Sequence, residues 1–216
     1  MKKTILLSAI ALISFSTFAQ DKGSKGSDDS RVRYGVKAGV TFADVTLSSA
    51  PGVTTSSVTS FYVGGIVDIP VASVLSVQPG LMLVGKGAEL SFPSIYSQKQ
   101  TPFYLEVPVN LVAKFEAGPG KIFVGAGPYV SLGVFGKNKI TSSSLGNSND
   151  NLKFGNGDDD DLRSIDFGLN FLLGYQLTNG LSVNGGYGLG LVNTQPSASS
   201  LTAKNSVFSV GLGFAF

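Results

Sequence analysis

The stretch that decides the fold is Arg33-Tyr-Gly-Val-Lys-Ala-Gly-Val-Thr-Phe42. Tyr34, Val36, Ala38, Val40 and Phe42 alternate with Arg33, Gly35, Lys37, Gly39 and Thr41. One face is wholly apolar, and the other is small, polar or charged. A period of two between unlike faces is that of a β-strand lying between two environments.

Working outward, the same pattern recurs seven more times. Phe61, Val63, Val67 and Ile69 oppose Tyr62, Gly64 and Asp68; Leu75, Val77, Leu81 and Leu83 oppose Gln78, Gly80 and Met82, with Lys86 following. Leu105, Val107, Val109 and Leu111 oppose Tyr104, Glu106, Asn110 and Lys114; Ile122, Val124, Val130, Leu132 and Val134 oppose Gly125, Tyr129 and Ser131. Phe167, Leu169, Phe171, Leu173 and Tyr175 oppose Asp166 and Asn170. Leu181, Val183, Tyr187 and Leu189 oppose Ser182 and Asn184, and Phe208, Val210, Leu212, Phe214 and Phe216 oppose Ser209, Gly211 and Gly213. Eight amphipathic strands satisfy the even count of a single-chain outer-membrane barrel.

The connections choose the architecture. Pro70 to Ser73, Glu116 to Gly120 and Thr178 to Gly180 are short and rich in turn residues. Asp44 to Ser57, Gly87 to Thr101, Gly136 to Leu162 and Asn193 to Ala203 are long. Short and long links in strict alternation predict an all-β, eight-stranded antiparallel up-and-down transmembrane β-barrel with short periplasmic turns and long outer loops. Tyr34 and Phe42, Phe167 and Tyr175, and Phe208 and Phe216 share a spacing that sets rings at both membrane interfaces. The alternative, a soluble barrel with these faces reversed, crowds most of the Phe into a lumen too narrow for them.

The domain organisation follows. Met1-Lys2-Lys3, an apolar run to Phe18, and Ala19 before Gln20 predict a signal peptide over 1–19. Residues 20–32 read as a flexible periplasmic tail, and 33–216 as the barrel. Loss of Lys2 and Lys3 takes sixteen basic residues to fourteen, equal to the fourteen acidic ones. Neutral charge and no long basic run exclude a nucleic-acid binder. With 0 Cys and 0 His, thiolate catalysis, Cys-ligated zinc and the commonest general base are excluded. The sequence therefore predicts no catalytic residue, no cofactor-binding residue, no metal site and no enzymatic activity.

Three motifs invite chemistry and fail. Gly80 to Gly87 approaches a phosphate-binding loop, but Gly87 stands where Ser or Thr is needed and the intervening residues are a strand. Gly125-Ala-Gly127 and Gly186-Tyr-Gly188-Leu-Gly190 precede no helix, and read as inward glycines relieving crowding. Asp158 to Asp161 lacks the alternating ligands of a calcium loop and reads as a solvated acidic tip on a mobile polar loop.

The predicted lumen is the informative place. Arg33 with Asp68 at the periplasmic end, and Lys86 with Glu106 near the outer end, are the expected structural ion pairs, since a charge shut in a narrow barrel needs a partner. Lys37, Lys114 and Asp166 are further lumen charges; Tyr62, Gln78, Tyr104, Asn110, Tyr129 and Asn170 are expected to add hydrogen bonds.

The segments YGVKAGVTF (34–42), VQPGLMLVGKGAEL (77–90), YLEVPVNL (104–111), FVGAGPYVSLG (123–133), DFGLNFLLGYQL (166–177) and VFSVGLGFAF (207–216) together resemble the outer membrane β-barrel domain family that includes PorT-like proteins. The resemblance implies an eight-stranded outer-membrane barrel and no single activity. Terminal Phe216 looks like the signal read by the barrel assembly machinery. The expected partners are outer-membrane lipid, that machinery, and an unknown protein or surface ligand at the outer loops. The expected role is structural or interactive, through the loops or within an envelope assembly. The alternatives are a narrow channel or small-ligand-binding barrel, and a component of a protein secretion system.

Overall fold

The computed structural model describes residues 31–48, 52–92, 96–142, 146–157, 160–196 and 202–216. The expected signal peptide, and the expected tail up to residue 30, lie outside the described residues.

Ten strands follow in order: β1 (Arg33–Ser48), β2 (Thr54–Pro70), β3 (Leu75–Gly85), β4 (Ala88–Phe92), β5 (Tyr96–Ala117), β6 (Gly120–Thr141), β7 (Ser148–Asn151), β8 (Ile165–Leu177), β9 (Leu181–Gly190) and β10 (Thr202–Ala215). Eight of them, β1, β2, β3, β5, β6, β8, β9 and β10, pair antiparallel in that order. β10 then pairs with β1, from Gly35 opposite Ala215 to Ser48 opposite Thr202, and closes the ring. Closure removes both sheet edges, which a membrane-spanning sheet requires because lipid offers no hydrogen bonds.

β4 prolongs β3. Against β5 the register runs on unbroken, with Gly85 opposite Phe103, Ala88 opposite Gln100, and the Lys86 N–H donating to Pro102 O at 2.9 Å. Against β2 it slips by one residue, from Tyr62 opposite Val84 to Ser57 opposite Ala88. β7 adds to the outer end of β6. Gly87–Thr101 and Gly136–Leu162, expected as loops, therefore contain strand. On β4 the alternation continues, with Ala88 and Leu90 buried on one face, whereas β7 is polar throughout and backbone pairing persists there without it.

The apolar alternates point outward. Val36, Leu111, Leu173 and Leu212 are each at least half exposed, while Lys86, Tyr104 and Asp166, on the other face, are at most 2% exposed. The reversed, soluble barrel is thereby excluded. At one end, β5 and β6 are joined by Gly118-Pro119, with Gly118 at φ 60°, the positive value a two-residue II′ turn demands at its first position. The other end carries the longer links. Aromatic rings gather there on the outer surface: Phe103 lies 5.0 Å from Phe61 and 4.9 Å from Phe135, and Phe42 lies 6.3 Å from Phe208.

One irregularity re-aims side chains. Phe103 faces Phe135 but Tyr104 faces Gly133, so β6 carries an extra residue in a β-bulge. Val134 and Phe135 both point outward, and the inward parity of β6 changes from Tyr129, Ser131 and Gly133 to Gly136 and Asn138.

Candidate functional site: a bridged lumen and its outer cap

The lumen is built by the inward alternates of the eight ring strands. Its centre is Lys86, which directly follows β3 and turns into the barrel. Its ammonium lies 2.9 Å from Glu106 Oε2 on β5 and 3.0 Å from Asp166 Oδ2 on β8. It sits 4.2 Å from the Tyr129 ring centroid and 5.1 Å from that of Tyr104. Asp166 Oδ2 also accepts from Asn205 Nδ2 at 2.9 Å and from the Tyr129 hydroxyl at 3.2 Å; Glu106 Oε1 accepts from Asn170 Nδ2 at 2.9 Å. One cation thus ties β3, β5 and β8 together across the lumen. Further donors reach Glu106 from β8 and Asp166 Oδ2 from β6 and β10, so the charges are desolvated but largely hydrogen-bonded, the condition under which buried ions are tolerated; among the described residues Asp166 Oδ1 has no hydrogen-bond partner.

A second cluster occupies the end with the short turns. Asp68 is ion-paired to Lys114 and accepts from Gln78 Nε2 at 2.9 Å. Arg33, its expected partner, stands directly opposite it in the β1–β2 register and lines the same small recess as Asp68 and Lys114. Lys37 lies between the clusters, its ammonium 5.8 Å from the Phe123 ring centroid. Tyr62 donates to Asn184 Oδ1 at 2.7 Å. Tyr104 and Asn110 are buried in the same interior. Between the two clusters remains a cavity of about 120 Å³, lined among others by Lys37, Tyr62, Glu106, Asn110, Asn170 and Asn184.

Inward glycines make room for the inward rings. A Cβ on Gly168 would stand 2.6 Å from the Tyr129 ring, and one on Gly39 2.6 Å from that of Tyr62. Both rings lie flat over a neighbouring strand because that strand has no side chain there.

The outer mouth is covered by the segment after β7, and this corrects the expectation of a mobile polar loop. Leu152 and Leu162 are buried, and Phe154 packs edge-on against Tyr104 with centroids 5.7 Å apart. Backbone bonds tie the segment down: Leu152 N–H to Gly136 O at 3.0 Å, Gly155 N–H to Leu162 O at 3.0 Å, Arg163 N–H to Thr194 O at 2.9 Å. Asp158 and Asp159 lie outside the described residues. Asp160 and Asp161 are turned back onto the backbone N–H of Gly157 and Lys153, at 2.7 and 2.8 Å. Among the described residues no group of three His, Cys, Asp or Glu is placed to hold a metal ion.

A family model for the outer membrane protein beta-barrel domain matches residues 18–195. The chain belongs to this family. As an outer membrane β-barrel it is an integral protein of that membrane, with its outward apolar face in lipid, its short turns periplasmic and its capped end outside. Solved structures similar to this barrel include OprG from Pseudomonas aeruginosa, at 12% identity and TM-score 0.47, over 85% of this chain and 95% of that one. The attachment invasion locus protein Ail of Yersinia pestis matches at 10% identity and TM-score 0.44, over 85% and 98%. Neisserial surface protein A matches at 13% and 0.43, over 85% and 97%. No curated protein sequence matches the chain.

Within this outer-membrane barrel, sequence reasoning missed several participants, among them Asn184, the acceptor for the Tyr62 hydroxyl. Asn205 and Ser131 sit on inward alternates beside Asp166, and a complete tally of inward polar residues would have found them. Phe154 follows Leu152 with Lys153 between them, a run of two apolar alternates before Gly155-Asn156-Gly157 that is too short to mark a cap.

Proposed function

We propose that this protein is a non-enzymatic outer-membrane barrel that acts through its projecting outer end, by binding a partner or as part of an envelope assembly, and does not pass solutes. The observation that carries the reading is the Lys86 bridge to Glu106 and Asp166, lying directly beneath the Phe154 cap. A solute would have to break a desolvated ion network and displace an aromatic lid together. Eight strands in any case enclose little more than their own side chains. The extended β5–β6 hairpin, with β4 and β7 beside it, supplies surface beyond the membrane for an interaction.

Planar-bilayer recording tests this. The wild-type barrel, shown folded by its gel shift on boiling, is expected to give no steady conductance. A steady ohmic conductance would overturn the reading in favour of a narrow channel, for which the 120 Å³ cavity is the supporting observation.

A further inference from the structure

On the lipid-facing side of the β5–β6 hairpin, Lys99, Lys137 and Lys139 stand just beyond the Phe61–Phe103–Phe135 rings. Lys99 lies directly opposite Lys139, and Lys137 opposite Thr101. All three lysines are exposed. Like charges in facing positions weaken a sheet, so this arrangement does not serve the fold. Glu89 neighbours Lys99 on β4, yet among the described residues none of the three ammonium groups forms an ion pair. Lys137 donates only to Asn151 Oδ1, at 2.8 Å. Asp150 lies beside Asn138, whose side chain is on the opposite face.

The bulge at Val134 and Phe135 is what places them there. Without its extra residue, the parity that points Leu132 and Val134 into lipid would send Lys137 and Lys139 inward and leave Gly136 and Asn138 outside. Strand geometry then sets their height. At ~3.3 Å per residue and a tilt near 40°, Lys137 lies roughly 5 Å, and Lys99 and Lys139 roughly 10 Å, above the aromatic rings. Aromatic belts mark the head-group level, so the lysines stand among the head groups of the outer leaflet.

We propose that Lys99, Lys137 and Lys139 form a binding site for the phosphate of an outer-leaflet glycolipid head group, with the lipid's acyl chains lying along Leu105, Val107, Val130 and Leu132. Those four residues are outward and 38–48% exposed directly below the lysines. Three cations that form no ion pair among the described residues, seated above an apolar strip of bilayer depth, fit an amphiphile with an anionic head better than a free anion. The site rests on the membrane position of the barrel and not on whether its lumen conducts.

The test is native mass spectrometry of the detergent-solubilised full barrel, titrated separately with diphosphorylated lipid A, the same lipid dephosphorylated, and inorganic phosphate. Wild type is expected to retain the diphosphorylated lipid, and K99Q/K137Q/K139Q to bind it about a hundredfold more weakly, at roughly fivefold per lysine. K204Q, an isolated exposed lysine at the outer end of β10, should bind as wild type does. Equal binding by the triple variant, equal binding of the dephosphorylated lipid, or retention of inorganic phosphate as tightly as lipid would each overturn the proposal. Should the triple variant fail to fold, K99Q and K139Q singly, each expected to lose about fivefold, decide the matter in the same way.

Discussion

Lys86 and Asp166 meet at 3.0 Å although one directly follows β3 and the other stands on β8, three strands apart around the ring. Both are almost wholly buried, and Glu106 completes the bridge. Removing the cation leaves two carboxylates facing each other in a desolvated space. Lys86→Met is therefore expected to cost about 3–5 kcal/mol, the range for breaking a buried pair from one side. Urea-induced unfolding in lipid vesicles measures it. Lys86→Met combined with Glu106→Gln should lose less than the sum of the single changes, and simple additivity would show that the bridge is not a unit.

The periplasmic cluster has the opposite composition. Among the described residues Asp68 is the one carboxylate facing Lys114 and, by position, Arg33 and Lys37. Asp68→Asn keeps the shape and the bond from Gln78 but removes the charge those cations share. We expect it to destabilise by about 3 kcal/mol, and more than Lys114→Met, which removes a single positive charge. The same unfolding measurement, run on both variants, checks the order. A larger loss for Lys114→Met would mean that packing by the lysine stem, and not charge balance, dominates.

How much of this was legible beforehand depended on what the sequence repeats. The eight ring strands were readable because each turns one apolar face to lipid, and a period of two survives without any knowledge of neighbours. Lys86 with Glu106 was readable because β3 and β5 adjoin and their outer ends are fixed by strand direction. Lys86 with Asp166 was not, since pairing across a lumen depends on ring closure and shear, to which no local pattern refers. Asp68 with Lys114 was not readable for a related reason: the long lysine on β5 reaches across β3 to a carboxylate on β2, two strands away around the ring. The parity change at Val134 and Phe135 did leave a trace, two adjacent large apolar residues followed by Gly136-Lys137, but an extra residue in a ladder is defined only against its partner strand.

The outer aromatic belt offers a test on the lipid side. Phe103 is central to it, with Phe61 and Phe135 at 5.0 and 4.9 Å. Phe103→Ala deletes both ring pairs, worth about 0.5–1.5 kcal/mol each beyond area. A loss of roughly 1–3 kcal/mol is expected, with Phe103→Leu intermediate, and vesicle refolding reports both. No loss would place these rings in head-group water and not at the interface.

The cap supplies the most discriminating prediction. The three heavy atoms nearest to a Cβ on Gly133 would all belong to the Phe154 ring, with Cγ at 2.9 Å and the other two closer. Gly133→Ala should therefore leave the barrel closed and drive the ring off its seat against Tyr104. Phe154→Ala should remove the same lid directly, at about 2 kcal/mol, below the range for a fully buried ring. Both variants are expected to make the 146–164 segment sensitive to external protease while the gel shift on boiling persists. Because they act through one contact, the double variant should be no more sensitive than Phe154→Ala alone, whereas independent effects would add. Protection retained in both single variants would mean that the backbone bonds of Leu152 and Arg163, and not the aromatic contact, hold the mouth shut.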